Sequence, residues 1–415
     1  MSRSRGRPDL VAVDWERYPA AGLIGVRSYS AELLTTVRPA TEQEWRTRAI
    51  SARVTLDDPV IDAAVRLTRA RASKVFTRFD GNLAGAVGLP DYSTGEPRIS
   101  PTALETYATC PHSFFVGRLL GVEPLEQPEE IITISPLDIG NLIHHSMDEF
   151  IRDRAASLPT FGAPWTDADR LRLQEIAAAM TEDFVARGAT GHPLLWERER
   201  VAVLTDLDSM LTDDNAWRGE CDARVVASEL TFGMKGFAPV AVEVPRGRVL
   251  MVGSADKVDQ TRDGVLLVTD IKTGSARTFT VLNDDPVAAG TKLQLPVYAH
   301  AARQLLGGSK VEAQYWFVRK DRGTRIPLAL SPKLEERYAV TIGTLVDAVA
   351  AGYFPAKAPE KPDFIWVQCR FCNPDGLGHN AARERWERKR VDPLLASLVT
   401  LIDPDVVALD GAGSS

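Results

Sequence analysis

Hydrophobic and polar positions change rhythm along this chain, and the changes mark out its elements. Near the N-terminus, TEQEWRTRAISARV and DDPVIDAAVRLTRARASK read as helices, and the Gly/Pro-rich run DGNLAGAVGLPDYSTGEP as a linker or extended loop. In ISPTALETYATCPHSFF, Ser100 suits a helix N-cap and Pro101 its first turn, with Leu104, Tyr107 and Ala108 at helical spacing and a break at Pro111. GNLIHHSMDEFIRDRA predicts an amphipathic helix that buries Leu142, Met147, Phe150 and Ile151. A long polar helical stretch from about Asp167 to Asp214 reads as an insertion. The texture then turns to strands: RVVASELTFG, RVLMVGSADKVDQT and GVLLVTDIKTG, the last two joined by a turn at Arg262-Asp263-Gly264. LQLPVYAHAARQLLG predicts a glycine-ended helix, AQYWFVRK a strand, and about Lys333 to Ala351 another helix, followed by a Cys-x-x-Cys segment and a basic helix.

This order predicts an α/β fold, with helices flanking a sheet and a helical insertion beside it. Residues 1–97 read as an N-terminal region and linker, 98–393 as the principal domain, and 394–415 as a tail. No apolar run reaches the length of a membrane span. The basic N-terminus has no apolar segment after it, so no secretory signal is read there and a cytoplasmic location is expected.

The net charge of -7 argues against coating nucleic acid by bulk charge. Local basic stretches remain: Arg69, Arg71 and Lys74, and RERWERKR at 383–390. Each is read either as a solvated helix face or as part of a groove for a polyanion.

Chemistry concentrates on two neighbouring strands. Asp256 lies in GSADKVD, and Asp270 and Lys272 in VTDIKTG. Residues two apart on a strand share a face, so Asp270 and Lys272 project together, and a hairpin brings Asp256 to them. Carboxylates are hard ligands suited to Mg2+ or Mn2+. A bound cation of that kind activates water, and a lysine beside it can orient or deprotonate that water. Taken alone, a D-x-K triplet is usually a surface ion pair.

The flanking pieces narrow the reading. GNLIH carries His144, SEL carries Glu229, and QLPVY places Gln294 and Tyr298 on one helix face. In this order, GNLIH, SEL, GSADKVD, DIKTG and QLPVY resemble the RecB-like branch of the PD-(D/E)XK nuclease superfamily. Lys257 stands where that branch usually has arginine. The resemblance covers about Ile99 to Lys389 and implies a restriction-endonuclease-like mixed sheet. It implies that His144, Asp256, Asp270 and the backbone carbonyl of Ile271 bind the metal. Lys272 becomes the catalytic lysine, Gln294 and Tyr298 position DNA or support the site, and Glu229 stands behind the ligands.

Four cysteines in 415 residues are no disulfide scaffold. Cys110 precedes the strands, while Cys369 and Cys372 follow them in WVQCRFCNPDGLGHN. This resembles the iron-sulfur staple of AddB-type nucleases, in which a four-iron cluster ties the two ends of the domain. The final cysteine of that pattern is missing here, and Gly378 stands near its place, so Asp375 or His379 is left as fourth ligand. Zinc and an empty site remain alternatives. Cys221, in the helical insertion, reads as an ordinary cysteine. No phosphate loop of the G-x-x-x-x-G-K-[ST] type is present, so ATP hydrolysis is not expected of this chain. The resemblance implies a helicase partner or a parent helicase chain, and end-processing of DNA in repair and recombination. A non-catalytic DNA-binding scaffold and a defence nuclease are the alternatives.

Overall fold

A computed structural model describes residues 41–52, 57–123, 131–308, 310–358 and 380–404, with Pro39, Phe371 and the backbone of two short paired strands at 2–4 and 23–25. The chain divides into two units, Met1–Ala72 and Ser73–Ser415. The first holds helices α1 (Glu42–Ser51) and α2 (Pro59–Ala72). A reciprocal capping box at Thr41 and Glu44 starts α1.

The second unit is built on a five-stranded sheet. In chain order its strands are β2 (Ala223–Phe232), β5 (Gly253–Thr261), β6 (Leu266–Lys272), β7 (Val311–Phe317) and β8 (Arg325–Leu328). Their spatial order is β8-β7-β6-β5-β2. Only β6 and β7 run parallel, joined through helix α7 (Gln294–Leu306). A second sheet, in the order β1-β4-β3, joins β1 (Thr94–Ile99) to the hairpin of β3 (Val240–Val244) and β4 (Gly247–Met251). RVLMVGSADKVDQT is therefore two strands rather than one. The break falls at Val252, whose N–H leaves the main ladder to bond Ile99 O.

Helices cover both faces of the main sheet. One face carries α3 (Pro101–Thr109), α7, α8 (Pro332–Ala350) and α10 (Ala396–Ile402), with Leu104, Tyr107, Val268, Leu295 and Ile342 in its core. The other carries α4 (Pro136–Asp153), α5 (Asp167–Ala186) and α6 (Pro193–Cys221), packing Leu142, Phe150, Leu173 and Met210 against Ile271 and Trp316. The polar stretch read as an insertion is thus an integral layer. The basic C-terminal helix α9 (Asn380–Lys389) also turns part of itself inward: Lys389 is buried against Asp80 at 3.1 Å. The mixed α/β architecture agrees with the expectation from sequence.

Local signals hold where they are physical. Ser100 accepts the Ala103 N–H at 3.1 Å, Gly307 ends α7 at φ 76°, and Gly264 turns the β5–β6 hairpin at φ 90°. The run expected as a linker is loop as far as residue 93, where β1 takes over. Backbone bonds tie its start to the segment after α8, including Leu83 N to Gly352 O at 2.7 Å.

Lys257, in the place where the resembled branch usually has arginine, is fully buried beneath α6. Its ammonium meets Asp214 at 2.9 Å and Asp259 at 2.6 Å, while Arg218 bonds the other Asp214 oxygen at 2.8 Å. The cluster pairs two cations with two carboxylates. Removing one member leaves a buried charge without its partner. Lys257→Met is expected to destabilise the protein by about 3–5 kcal/mol, against less than about 0.5 kcal/mol for the exposed Lys333→Met. Denaturant unfolding of both variants checks this, and equal midpoints would refute it.

Candidate active site

The site forms where two strands part. Hydrogen-bonded pairing of β5 with β6 stops at Lys257↔Thr269. The next residues in register are Asp256 and Asp270, so the two carboxylates stand at the opening of the fork. Instead of a ladder partner, the Ile271 N–H finds Asp256 Oδ2 at 2.6 Å. Strand alternation sorts the neighbours. Thr269 and Ile271 face the α4–α6 layer, while Asp270 and Lys272 face α7.

Each side chain at the fork has a defined source. His144, in the middle of α4, brings Nδ1 to 3.3 Å from Asp256 Oδ1. Gly140, one turn earlier, lies against Thr273, where an added Cβ would stand 3.6 Å from the threonine hydroxyl. Glu229 lies opposite Asp256, between the pairs Ser228↔Lys257 and Leu230↔Ala255. Its backbone is left-handed at φ 45°, uncommon for a non-glycine residue and typical of strain kept at a working site. Ligand atoms of His144, Glu229 and Asp256 all lie within 4.8 Å of one another. Glu229, expected behind the ligands, thus brings a carboxylate oxygen within reach of two of them. Sequence could not show this, because the kinked backbone that delivers the side chain has no residue signature.

Asp270 turns instead to Lys272, whose Nζ is 2.5 Å from Oδ2. That contact pairs the buried carboxylate with a buried ammonium. Lys272 Nζ donates to Gln294 Oε1 at 2.9 Å, and Gln294 Nε2 donates to Tyr298 Oη at 3.2 Å. The expected Gln294–Tyr298 pair thus reaches the site by holding the lysine.

The charges explain the protonation states. Burial drives the Asp270 carboxyl up to about 6, against the pull of Lys272. Burial also works against ionised Asp256, but His144 and Lys272 outweigh it and leave that carboxyl below its ordinary value. Burial opposes a charged imidazole at His144, yet Asp256 beside it raises the group to about 9. Lys272 likewise holds its proton more tightly than a free lysine, because Asp270 and Asp256 overcome its desolvation. Two carboxylates thus share a site with two cations, a balance that a bound divalent ion would replace.

Sequence reasoning missed Glu105. It lies on the same stripe of α3 as Pro101, Leu104 and Ala108, a carboxylate on an otherwise buried face, and that was the available signal. Its Oε1 accepts the Leu293 N–H at 2.5 Å, fixing the start of α7 immediately before Gln294. Burial raises the Glu105 carboxyl to about 7. Lys292, next in sequence to Leu293, is half-buried with its ammonium 4.1 Å from the Phe279 ring centre. Cys110 is buried at the end of α3. Cys369, Cys372, Asp375 and His379 lie outside the described residues. Phe371, between the two cysteines in sequence, lies 3.5 Å from where a Cβ on Gly117 would stand.

Residues 98–375 match the PD-(D/E)XK nuclease superfamily, and the chain belongs to it. Among curated proteins it is similar to a subunit of the ATP-dependent helicase/deoxyribonuclease of Moorella thermoacetica, 30% identical over 219 residues, 49% of this chain and 18% of that one. The corresponding subunits of Acetivibrio thermocellus, 28% identical over 219 residues, and Alkaliphilus metalliredigens, 28% over 213, match 50% and 49% of this chain. The matched stretch spans less than a fifth of the length of these relatives, 18% and 17% for the latter two.

If Glu105 positions Gln294 and through it Lys272, Glu105→Leu should lower kcat for phosphodiester cleavage by roughly ten- to a hundredfold with little change in KM. Glu105→Gln keeps an acceptor for the Leu293 N–H and should retain most of the rate. A change in KM alone, or equal losses in both variants, would reject the positioning role.

Proposed function

We propose that this chain is a divalent-metal-dependent deoxyribonuclease that trims DNA ends by hydrolysing phosphodiester bonds. The observation that carries the reading is the convergence of His144, Glu229, Asp256, Asp270 and Lys272 on one fork between β5 and β6. The donors suit a hard cation such as Mg2+ or Mn2+, being carboxylates and one imidazole.

In this reading His144, Asp256, Asp270 and the Ile271 carbonyl hold the ion, with Glu229 added by its position. The Ile271 carbonyl belongs to the same strand edge as its N–H, which faces Asp256. When bound, the ion lowers the pKa of a coordinated water and offsets charge on the scissile phosphate. Lys272, clamped between Asp270 and Gln294, stands where it can orient or deprotonate the attacking water and stabilise phosphate charge. Tyr298 holds Gln294 in place from the next turn of α7.

DNA as substrate, a helicase partner and work in repair and recombination follow from the similarity to helicase/deoxyribonuclease subunits. A cytoplasmic location fits that work, and no helix among the described residues is long and apolar enough to cross a membrane. A silent scaffold subunit would have no need of the clamp on Lys272. A defence nuclease would differ in cellular context and not in this chemistry.

The deciding experiment incubates end-labelled single- and double-stranded linear DNA with Mg2+ or Mn2+. Wild type should degrade it, while Asp270→Ala and Lys272→Ala each lose at least about 10²-fold in rate, and chelation abolishes cutting. Binding without cleavage under every condition, helicase present or not, would instead establish the scaffold.

Cys110, Cys369 and Cys372, with Asp375 or His379, are proposed to hold a four-iron cluster that ties the two ends of the nuclease domain. Protein purified without oxygen should contain iron and acid-labile sulfide and lose both in Cys110→Ser. Zinc in place of iron would select the alternative metal, and metal-free wild type would reject the staple.

A further inference from the structure

The connection from β2 to β3 ends in a tight tip whose exposed side chains serve no core. Met234-Lys235-Gly236-Phe237 closes with Phe237 N to Met234 O at 2.9 Å, and Gly233 N bonds Ala238 O at 2.9 Å. The two central residues, Lys235 and Gly236, have φ of 50° and 85°. Two successive positive φ values define a type I′ turn, which holds its flanking residues in a fixed orientation. On this rigid tip Phe237 is 54% exposed and Met234 41%. Arg98, exposed on β1, anchors the base of the tip by donating to Gly233 O at 2.8 Å.

Topology places this tip by the catalytic fork. It continues the C-terminal end of β2, the strand that carries Glu229, and that end pairs with the start of β5 just before Asp256. The fork between β5 and β6 opens toward the same end of the sheet. Three strand residues separate Glu229 from Gly233, four steps or about 13 Å at the usual rise. A single DNA strand covers that distance in roughly two or three nucleotides, each bringing a base with a flat apolar face and a phosphate.

We propose that the Met234–Phe237 tip, with Arg98, is a single-strand DNA platform: Phe237 stacks on a base, and Lys235 and Arg98 meet the flanking phosphates. This rests on the nuclease reading above and adds where the strand lies before it reaches the fork. Aromatic side chain and cations are interleaved on one rigid tip, as sequence-tolerant binding of single strands requires.

The test is fluorescence anisotropy of a labelled oligothymidylate in EDTA, so that binding is read without cleavage. Phe237→Ala should weaken binding on the order of tenfold, Phe237→Trp should keep it, and Lys235→Ala should reduce the slope of log affinity against log salt by about one. Hydrolysis of bis-p-nitrophenyl phosphate, too short to span from fork to tip, should proceed at the wild-type rate in Phe237→Ala. Wild-type binding that Phe237→Ala leaves intact would overturn the platform and leave the tip to a protein contact. Loss of hydrolysis of the small ester would also overturn it, by showing that the tip supports the site itself. No wild-type binding to any single strand would overturn the platform, while cleavage of linear DNA decides the nuclease reading separately.

Discussion

Everything at this site depends on keeping two carboxylates beside each other in a buried place. Like charges this close cannot both ionise without compensation. Asp256 and Asp270 solve the problem unequally: Asp256 stays ionised against His144, while burial lifts Asp270 to about 6 beside Lys272. Both the choice of counter-charges and their positions follow from the fork. Had β5 and β6 stayed paired one residue further, the Ile271 N–H would be committed to a backbone carbonyl and unavailable to Asp256. Parting the strands at that step frees a donor for one carboxylate and leaves the other to Lys272.

The layers on either side exist in large part to deliver groups to that opening. α4 supplies His144 from one face, and α7 supplies Gln294 from the other. α3 holds the start of α7 through Glu105. The face of β5 that points away from the site carries its own buried charges, Lys257 and Asp259, closed by Asp214 and Arg218 of α6. A single strand thus carries two ionic clusters, one at the fork and one beneath α6. That explains why GSADKVD is so polar for a central strand: alternate residues serve different masters.

Much of this was legible in the sequence, for identifiable reasons. Strand alternation put Asp270 and Lys272 on one face, and helical spacing put Gln294 and Tyr298 on another; both rules are local. Ser100, Gly264 and Gly307 announced their cap and turns because each needs a particular side chain or a positive φ. What stayed hidden depended on long-range geometry. Neither the break at Val252 nor the left-handed backbone at Glu229 has a residue signature. The Glu105–Leu293 bond joins segments far apart in sequence, and only the carboxylate on a buried stripe hinted at it. At α9, basic composition did not show that Lys389 is drawn inward by Asp80.

The clamp on Lys272 also bears on how such a site could lose function. A lysine held by one carboxylate alone would follow it when a cation drew that carboxylate away. Gln294 gives the ammonium a neutral second anchor that a metal does not compete for, and Tyr298 fixes the amide in turn. The amide also contributes no charge to a pocket that already holds two carboxylates, so it positions the lysine without raising its hold on the proton further. The division of labour is physical: carboxylates set the charge at the fork, and an amide anchored in α7 sets where the lysine stays as that charge changes.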